Sequence, residues 1–125
     1  MTQVMIVDDD ELFRSMLEQM VKREGYEVRA VTNGNQALAE IERQRPDLLI
    51  TDILMPEKDG IELVMELAQR QIKLPIIAIS GGRRSISQEF NLESARLMGV
   101  TLTLPKPFQR EDLRAAITQA LSGST

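Results

Sequence analysis

The chain has 125 residues, enough for one domain with a substantial core, and its 42% apolar and 27% charged residues are typical of a globular protein. Its net charge of −4 argues against direct nucleic-acid binding, because proteins that bind DNA or RNA usually carry a basic face. Cysteine and histidine are both absent, which excludes disulfides, zinc sites built on those residues and a Ser-His-Asp triad.

Short apolar runs alternate with amphipathic stretches along the chain. The short runs are typical of buried strands, and the amphipathic stretches place apolar residues at helical spacing. The predicted strands are 3–7, 27–31, 47–51, 75–79 and 101–104. The predicted helices are 10–23, 35–44, 62–71, 88–98 and 110–121. This strict alternation predicts an α/β fold, with a five-stranded parallel sheet and helices on both of its faces.

The first helix has the clearest boundaries. Asp9 or Asp10 can cap its start, and Gly25 lies just past its end, where glycine commonly closes a helix. Its residues predicted to face the core are Leu12, Phe13, Met16, Leu17, Met20 and Val21. In the third and fourth helices the predicted core residues are Val64, Met65, Leu67, Ala68 and Met98.

The residues suited to chemistry follow the predicted strands. Asp8 and Asp9 come after the first strand, Asp52 after the third, Ser80 after the fourth, and Lys106 after the fifth. The carboxyl ends of parallel strands share one edge of the sheet, and ligands bind at that edge in open α/β folds. Carboxylates, a hydroxyl and an ammonium gathered there predict a site for a hard cation and a phosphoryl group.

The three aspartates are candidate metal ligands. Asp8, Asp9 and Asp52 would repel one another if they lay close together, and a divalent cation would neutralise them. Because histidine and cysteine are absent, only oxygen ligands are available. Oxygen ligation favours Mg²⁺, with Mn²⁺ as the alternative.

Asp52 is also the candidate nucleophile toward phosphorus, because a predicted loop over 53–60 follows it and leaves it accessible. Lys106 would bring a positive charge to the phosphoryl oxygens, and Ser80 a hydroxyl that could bond one of them. Taken singly, such residues are more often helix caps, turn residues or solvated lysines. All of them, however, follow predicted strands, and this shared position favours a common phosphoryl and cation site.

With these residues the chain resembles, over essentially its whole length, the response-regulator receiver domains of two-component signalling. The motifs that carry the resemblance are 4–10, 52–56 with Asp59 and Gly60, 79–81, and 105–108. The resemblance implies the flavodoxin-like strand order 2-1-3-4-5. It also implies a receiver domain over 1–121, followed by a polar tail or linker stub at 122–125.

The resemblance implies roles for the site residues. Asp52 would accept a phosphoryl group from a partner histidine kinase or histidine phosphotransfer protein, and Ser80 and Lys106 would bind the phosphoryl oxygens. The implied Mg²⁺ ligands are Asp8, Asp9, Asp52 and the backbone carbonyl of Leu54. The chain would be a signalling switch rather than an enzyme, limited to autophosphorylation from small phosphodonors and slow autodephosphorylation.

Two departures from the family pattern lead to further expectations. Thr103 stands three residues before the lysine, where the family usually has a Tyr or Phe that turns inward on activation. We therefore expect the signal to pass through Ser80 and the glycines after it to the fourth helix. Leu54 and Gly82 stand two residues after Asp52 and Ser80, and neither side chain can orient an attacking water, so we expect a long-lived aspartyl phosphate.

Two other functions are compatible with the same fold class. A Mg²⁺-dependent phosphohydrolase with an aspartyl-phosphate intermediate would need an acid–base carboxylate close after the nucleophile, where Leu54 stands, and an insertion long enough for a cap. A flavin-binding domain would need a Ser/Thr/Gly-rich phosphate loop after the first strand, where three aspartates stand instead.

The remaining expectations concern partners and location. A downstream effector protein or a missing output domain would read the switch. A homodimer could form through the face of the predicted fourth helix, fifth strand and last helix, which carries Arg96, Thr103, Arg110 and Arg114. No apolar run approaches the ~20 residues of a membrane span, and no signal-peptide layout is present, so we expect a cytoplasmic protein without membrane or nucleic-acid contacts.

Overall fold

A computed structural model of the chain describes residues 2–52, 60–80 and 99–122, without the side chains of Ile61 and Ser80. The strands are β1 (Gln3–Val7), β2 (Glu27–Val31), β3 (Leu48–Asp52), β4 (Ile76–Ser80) and β5 (Leu102–Pro105). The helices are α1 (Glu11–Arg23), α2 (Gly34–Arg43), α3 (Gly60–Gln69) and α4 (Arg110–Ser122). The helix predicted over 88–98 and most of the loop predicted over 53–60 lie outside the described residues.

The strands form one parallel sheet in the order β2-β1-β3-β4-β5. The predicted α/β class and the strand order 2-1-3-4-5 are therefore confirmed. Three of the predicted strands extend further at their carboxyl ends: β3 includes Asp52, β4 includes Ser80, and β5 includes Pro105. Asp52 and Ser80 are thus parts of strands, Asp8 and Lys106 directly follow strands, and Asp9 lies in the bend after Asp8.

Alternation along the strands gives the sheet two apolar faces. On one face, Met5 and Leu49 pack with side chains of α2 and α3. On the other face, Ile6 and Ile50 pack with side chains of α1 and α4, including Leu17. Side chains of a strand point alternately to opposite faces, so a strand covered on both sides is apolar throughout, as β3 is up to Thr51 and Asp52. Thr51 and Asp52, at the carboxyl end of β3, are therefore unusual as buried polar residues in an otherwise apolar strand.

Local signals fix the start and end of α1. The Asp10 carboxylate accepts hydrogen bonds from the N–H groups of Leu12 (3.0 Å) and Phe13 (3.2 Å), so Asp10 is the cap. Gly25 has φ +94°, a conformation in which a side chain would be strained, and its N–H donates to the carbonyl of Lys22. The predicted boundaries of this helix are confirmed to within one residue.

The predicted apolar stripes on the helices are too wide. Leu12 is 84% exposed, Met16 46% and Met65 44%, whereas Leu17 is 1% exposed. An α-helix turns about 100° per residue, so Leu12 points about 140° away from Leu17, outside the arc that faces the sheet. The same geometry exposes Met65 and Ala68 on α3 and buries Leu63, which the sequence analysis did not select. Met98 lies outside the described residues.

Within the described parts of the chain, no helix combines the length and apolar character that a membrane crossing requires.

Candidate functional site

Strand register brings the predicted site residues together at the carboxyl edge of the sheet. Val7 lies opposite Thr51 in the pairing of β1 with β3, so Asp8 follows at the level of Asp52. In the next pairing, β4 extends one residue beyond the partner of Asp52 and ends at Ser80. The backbone of the sheet alone therefore places residues from three strands around the end of β3.

Asp8, Asp9 and Asp52 form a compact acidic cluster. Each offers a carboxylate oxygen, and these oxygens lie within 4.8 Å of one another. Asp8 is 1% exposed and Asp52 is 9% exposed, whereas Asp9 is exposed to solvent. Two largely buried carboxylates beside a third carboxylate form an unfavourable arrangement unless positive charge is brought to them.

One carboxylate oxygen of Asp8 is buried without a hydrogen-bond partner among the described residues. This oxygen is Oδ2, whereas Oδ1 accepts the N–H of Asp10 at 2.8 Å. Burial is the main cause that raises the pKa of Asp8 from 3.8 to about 6. The charges of Asp52 and Asp9 contribute to this rise, and the Asp10 N–H and Lys106 act in the opposite direction. An oxygen without a hydrogen-bond donor in an acidic cluster is suited to bind a cation.

The donor set fits a hard divalent cation. The carboxylates of Asp8, Asp9 and Asp52 supply only oxygen, and the buried Oδ2 of Asp8 accepts no hydrogen bond from the described part of the chain. Oxygen ligands in small number are typical of Mg²⁺, which keeps several waters when bound. Leu54, whose carbonyl is the fourth implied ligand, lies outside the described residues.

The loop between β1 and α1 is held by the backbone of Asp8. The Asp8 N–H donates to the carbonyl of Val31 at 3.2 Å, and the Arg14 guanidinium donates to the carbonyl of Asp8 at 2.9 Å. Arg14 therefore fixes the position of the acidic pair from the first turn of α1. The only sign of this role in the sequence is a basic residue four positions after the capping aspartate, which does not predict a contact with a backbone carbonyl.

Asp52 is held at the end of β3. The buried Thr51 hydroxyl donates to the backbone carbonyl of Asp52 at 2.9 Å. The Lys106 ammonium lies 3.4 Å from Oδ2 of Asp52, and the two side chains are 26% and 12% exposed. The lysine predicted for this site thus contacts the candidate nucleophile directly.

Lys106 has a second neighbour, which the sequence did not predict. Its ammonium lies 3.9 Å from the centre of the Phe13 ring. Phe108 packs edge-on against Phe13, with ring centres 5.9 Å apart and planes at 85°. Phe13 was predicted only as a core residue of α1, because helical spacing carries no information about a contact with a residue far along the chain.

Other predicted residues are only partly described. The backbone of Ser80 lies at the end of β4, but its side chain, like Gly82 and Arg96, lies outside the described atoms. Thr103 is half-buried in β5. Arg110 and Arg114, proposed for a dimer face, both pair with Glu24, at 3.5 and 3.1 Å. These two arginines are therefore engaged within the chain itself.

Known proteins similar to this chain share its fold over nearly its whole length. The sequence profile of the response regulator receiver domain matches residues 4–118. The transcriptional regulatory protein PdtaR of Mycobacterium tuberculosis is 38% identical over 120 residues, which cover 95% of this chain and 56% of that protein. The alkaline phosphatase synthesis transcriptional regulatory protein PhoP of Bacillus subtilis is 29% identical over 121 residues, covering 97% of this chain and 49% of that protein.

Solved structures of response regulators also match this chain over nearly its whole length. The receiver domain of NtrX from Brucella abortus has a TM-score of 0.88 at 28% identity and covers 97% of this chain and 99% of that one. A putative response regulator from Chloroflexus aurantiacus has a TM-score of 0.87 at 31% identity, covering 97% and 98%. The chain spans about half the length of the two curated relatives, 49% and 56%.

Proposed function

The chain belongs to the response regulator receiver domain family, and from this premise we propose that it is a phosphoacceptor switch that takes a phosphoryl group on Asp52. The observation that carries the proposal is the position of the Asp52 carboxylate. It is largely buried at the end of a central strand, beside two further carboxylates and 3.4 Å from the ammonium of Lys106. A carboxylate placed in this way can act as a nucleophile while positive charge is held beside the group that it receives.

The transfer is a displacement at phosphorus. An Asp52 carboxylate oxygen forms a bond to phosphorus as the bond from phosphorus to the donor's imidazole nitrogen breaks. The nitrogen keeps the bonding electron pair and is left as neutral imidazole once protons have equilibrated with solvent, and Asp52 becomes an acyl phosphate. Because this chain contains no histidine, the donor histidine must lie outside its 125 residues. We propose a partner histidine kinase or histidine phosphotransfer protein, with small phosphodonors as substitutes.

We further propose that Asp8, Asp9, Asp52 and the carbonyl of Leu54 hold Mg²⁺, or Mn²⁺ in its place. The cation would offset charge on the phosphoryl oxygens. The buried Oδ2 of Asp8 supports this assignment, since it is an acceptor without a hydrogen-bond partner among the described residues. Lys106 and Ser80 would bind the phosphoryl oxygens, and the protein would remain a signalling switch with only slow autodephosphorylation.

The output would be made by another protein or another domain. PdtaR and PhoP are both described as transcriptional regulatory proteins, and both are about twice as long as their match to this chain. The net charge of −4 supports an output that does not use this chain's own surface to bind nucleic acid. We propose a cytoplasmic location. We also propose that the signal passes through Ser80 and the glycines after it to the predicted fourth helix, because Thr103 offers no ring.

The direct test is the mass of the intact protein after incubation with acetyl phosphate and Mg²⁺. We expect an adduct of one phosphoryl group that is absent when Mg²⁺ is chelated and absent in Asp52→Ala. No adduct, or an adduct that survives Asp52→Ala, would overturn the proposal. Turnover of phosphate esters with saturating kinetics would instead support the phosphohydrolase alternative.

The lifetime of the aspartyl phosphate gives a second prediction. The side chains of Leu54 and Gly82 cannot orient a water for attack on phosphorus, so we expect slow loss of label after the donor is removed. Leu54→Asn places an amide at the first of these positions and is expected to shorten the lifetime severalfold. Rapid loss of label from the unmodified sequence, unchanged by the substitution, would contradict this expectation.

A further inference from the structure

The lysine at the site is held loosely by its carboxylate neighbour. The distance of 3.4 Å from the Lys106 ammonium to Oδ2 of Asp52 exceeds the ~2.7–2.9 Å of a strong charge-assisted hydrogen bond. A lysine side chain has four rotatable carbon bonds, and ordering it is entropically unfavourable. A partly exposed ion pair at this distance is weak, so it does not by itself fix the conformation of the lysine side chain. A second contact is needed to hold the ammonium in place.

The face of Phe13 supplies such a contact. The ammonium lies 3.9 Å from the ring centre, well within the ~6 Å over which a ring face attracts a cation. Phe108 meets Phe13 edge-on at 85°, the arrangement that places the positive edge of one ring against the negative face of the other. Both phenylalanines pack on the apolar cluster between the sheet, α1 and α4, so the ring under the lysine has a fixed support.

We propose that Phe13 is a positioning residue for phosphoryl transfer, holding the Lys106 ammonium over its ring and within reach of the group that Asp52 receives. The inference rests on the function proposed above and adds a residue to it. A ring face attracts the ammonium without accepting a conventional hydrogen bond from it. The lysine N–H groups therefore remain available for phosphoryl oxygens, whereas a carboxylate partner would occupy them.

The Phe13 ring also contributes to packing. A role in packing alone predicts a different effect of its removal on the phosphorylation rate than a role in holding the ammonium. If the ring acts only through packing, its removal should slow phosphorylation equally whether or not position 106 is a lysine. If the ring acts through the ammonium, its removal should matter only when the ammonium is present. A double-mutant cycle between these two positions therefore separates the two roles.

The kinetic test follows phosphorylation of Asp52 by acetyl phosphate and Mg²⁺ under subsaturating donor. Phe13→Leu keeps an apolar side chain at this partly buried position and is expected to lower the rate about three- to tenfold, the range that one partly desolvated cation–π contact supplies. Phe13→Tyr retains the ring and should preserve the rate. In the Lys106→Met background, the same Phe13→Leu substitution should have no further effect.

A spectroscopic test on the unphosphorylated protein checks the contact itself. The side-chain CH₂ protons of Lys106 next to the ammonium should resonate upfield of those of a solvated lysine. We expect this shift to persist in Phe13→Tyr and to be lost in Phe13→Leu.

The inference is overturned if Phe13→Leu leaves the rate unchanged, lowers it equally in both backgrounds, or leaves the Lys106 resonances in place. Each of these results leaves the proposed function intact. If the unmodified protein takes up no phosphoryl group, the proposed function fails and the inference fails with it.

Discussion

Replacement of Asp8 by asparagine is expected to stabilise the metal-free protein at pH 7 by about 2–3 kcal/mol and to abolish its response to Mg²⁺. Asp8 is 1% exposed, and its Oδ2 has no hydrogen-bond partner among the described residues. An amide in its place would carry no charge, would keep the acceptor for the Asp10 N–H, and could donate to the carboxylates beside it. The substitution therefore removes a buried charge without leaving a new polar group unsatisfied.

The size of this effect depends on pH. Burial, followed by the charges of Asp52 and Asp9, raises the pKa of Asp8 from 3.8 to about 6 in the folded protein. Between these two values the folded state binds more protons than the unfolded state, so the free energy of unfolding falls as pH rises from about 4 to about 6. Above this window the full penalty of the ionised carboxylate is present, and below it the penalty disappears.

The measurement is urea unfolding of both proteins without divalent cations at pH 4.5 and pH 7. We expect the free energy of unfolding of Asp8→Asn to be clearly higher than that of the unmodified protein at pH 7. At pH 4.5 the two free energies should approach each other. Asp9→Asn is the control, because Asp9 belongs to the same cluster but is exposed, and its stability effect should be small. A variant that is destabilised, or that keeps the pH slope of the unmodified protein, would contradict the expectation.

The same variant should lose function. Saturating Mg²⁺ should stabilise the unmodified protein, because a ligand that binds only the folded state shifts the unfolding equilibrium. It should have little effect on the stability of Asp8→Asn. Phosphorylation of this variant by acetyl phosphate should slow at least about tenfold, because loss of a charged ligand weakens binding of the cation that offsets charge on the phosphoryl oxygens. If stability rises while function falls, the acidic cluster is maintained for chemistry at the expense of folding.

The sequence was sufficient to predict the fold and to identify the members of the acidic cluster. Alternation of strands and helices indicated a parallel sheet, and such a sheet has a single carboxyl edge. Any polar residue that ends a strand must lie at that edge, so Asp8, Asp52 and Lys106 could be grouped without knowledge of a single contact. The grouping depends only on strand direction, which the sequence pattern encodes well.

Contacts between side chains distant in the chain could not be predicted in the same way. The Phe13 ring lies under Lys106 because the first turn of α1 and the segment after β5 meet above the sheet edge. That meeting is set by how the helices pack on the sheet rather than by any local spacing. The hydrogen bond from Arg14 to the carbonyl of Asp8 was missed for a related reason, since its acceptor is backbone and has no signature in the sequence.

The orientation of the helices around their own axes was also not predicted correctly from the sequence. A matched pair of substitutions on α1 tests the orientation that the structure gives. Leu17→Ala is expected to reduce the free energy of unfolding by about 2–5 kcal/mol, as is usual when a buried leucine leaves a cavity. Leu12→Ala should change it by no more than ~0.5 kcal/mol, because the side chain is exposed and alanine favours helix. The residues have the same chemistry and the same helix but are 1% and 84% exposed.

Urea unfolding at pH 7 distinguishes the two outcomes, provided that the slopes with denaturant concentration are equal. The comparison is sharp because the sequence pattern placed both leucines on one apolar stripe, whereas the structure separates them by about 140° around the helix. Leu17 packs in the cluster beneath α1 that also includes Val21 and Ile6, and this cluster supports the strand that leads to Asp8. Similar losses for the two variants would mean that α1 is rotated from the orientation described, and Phe13 would then no longer face Lys106.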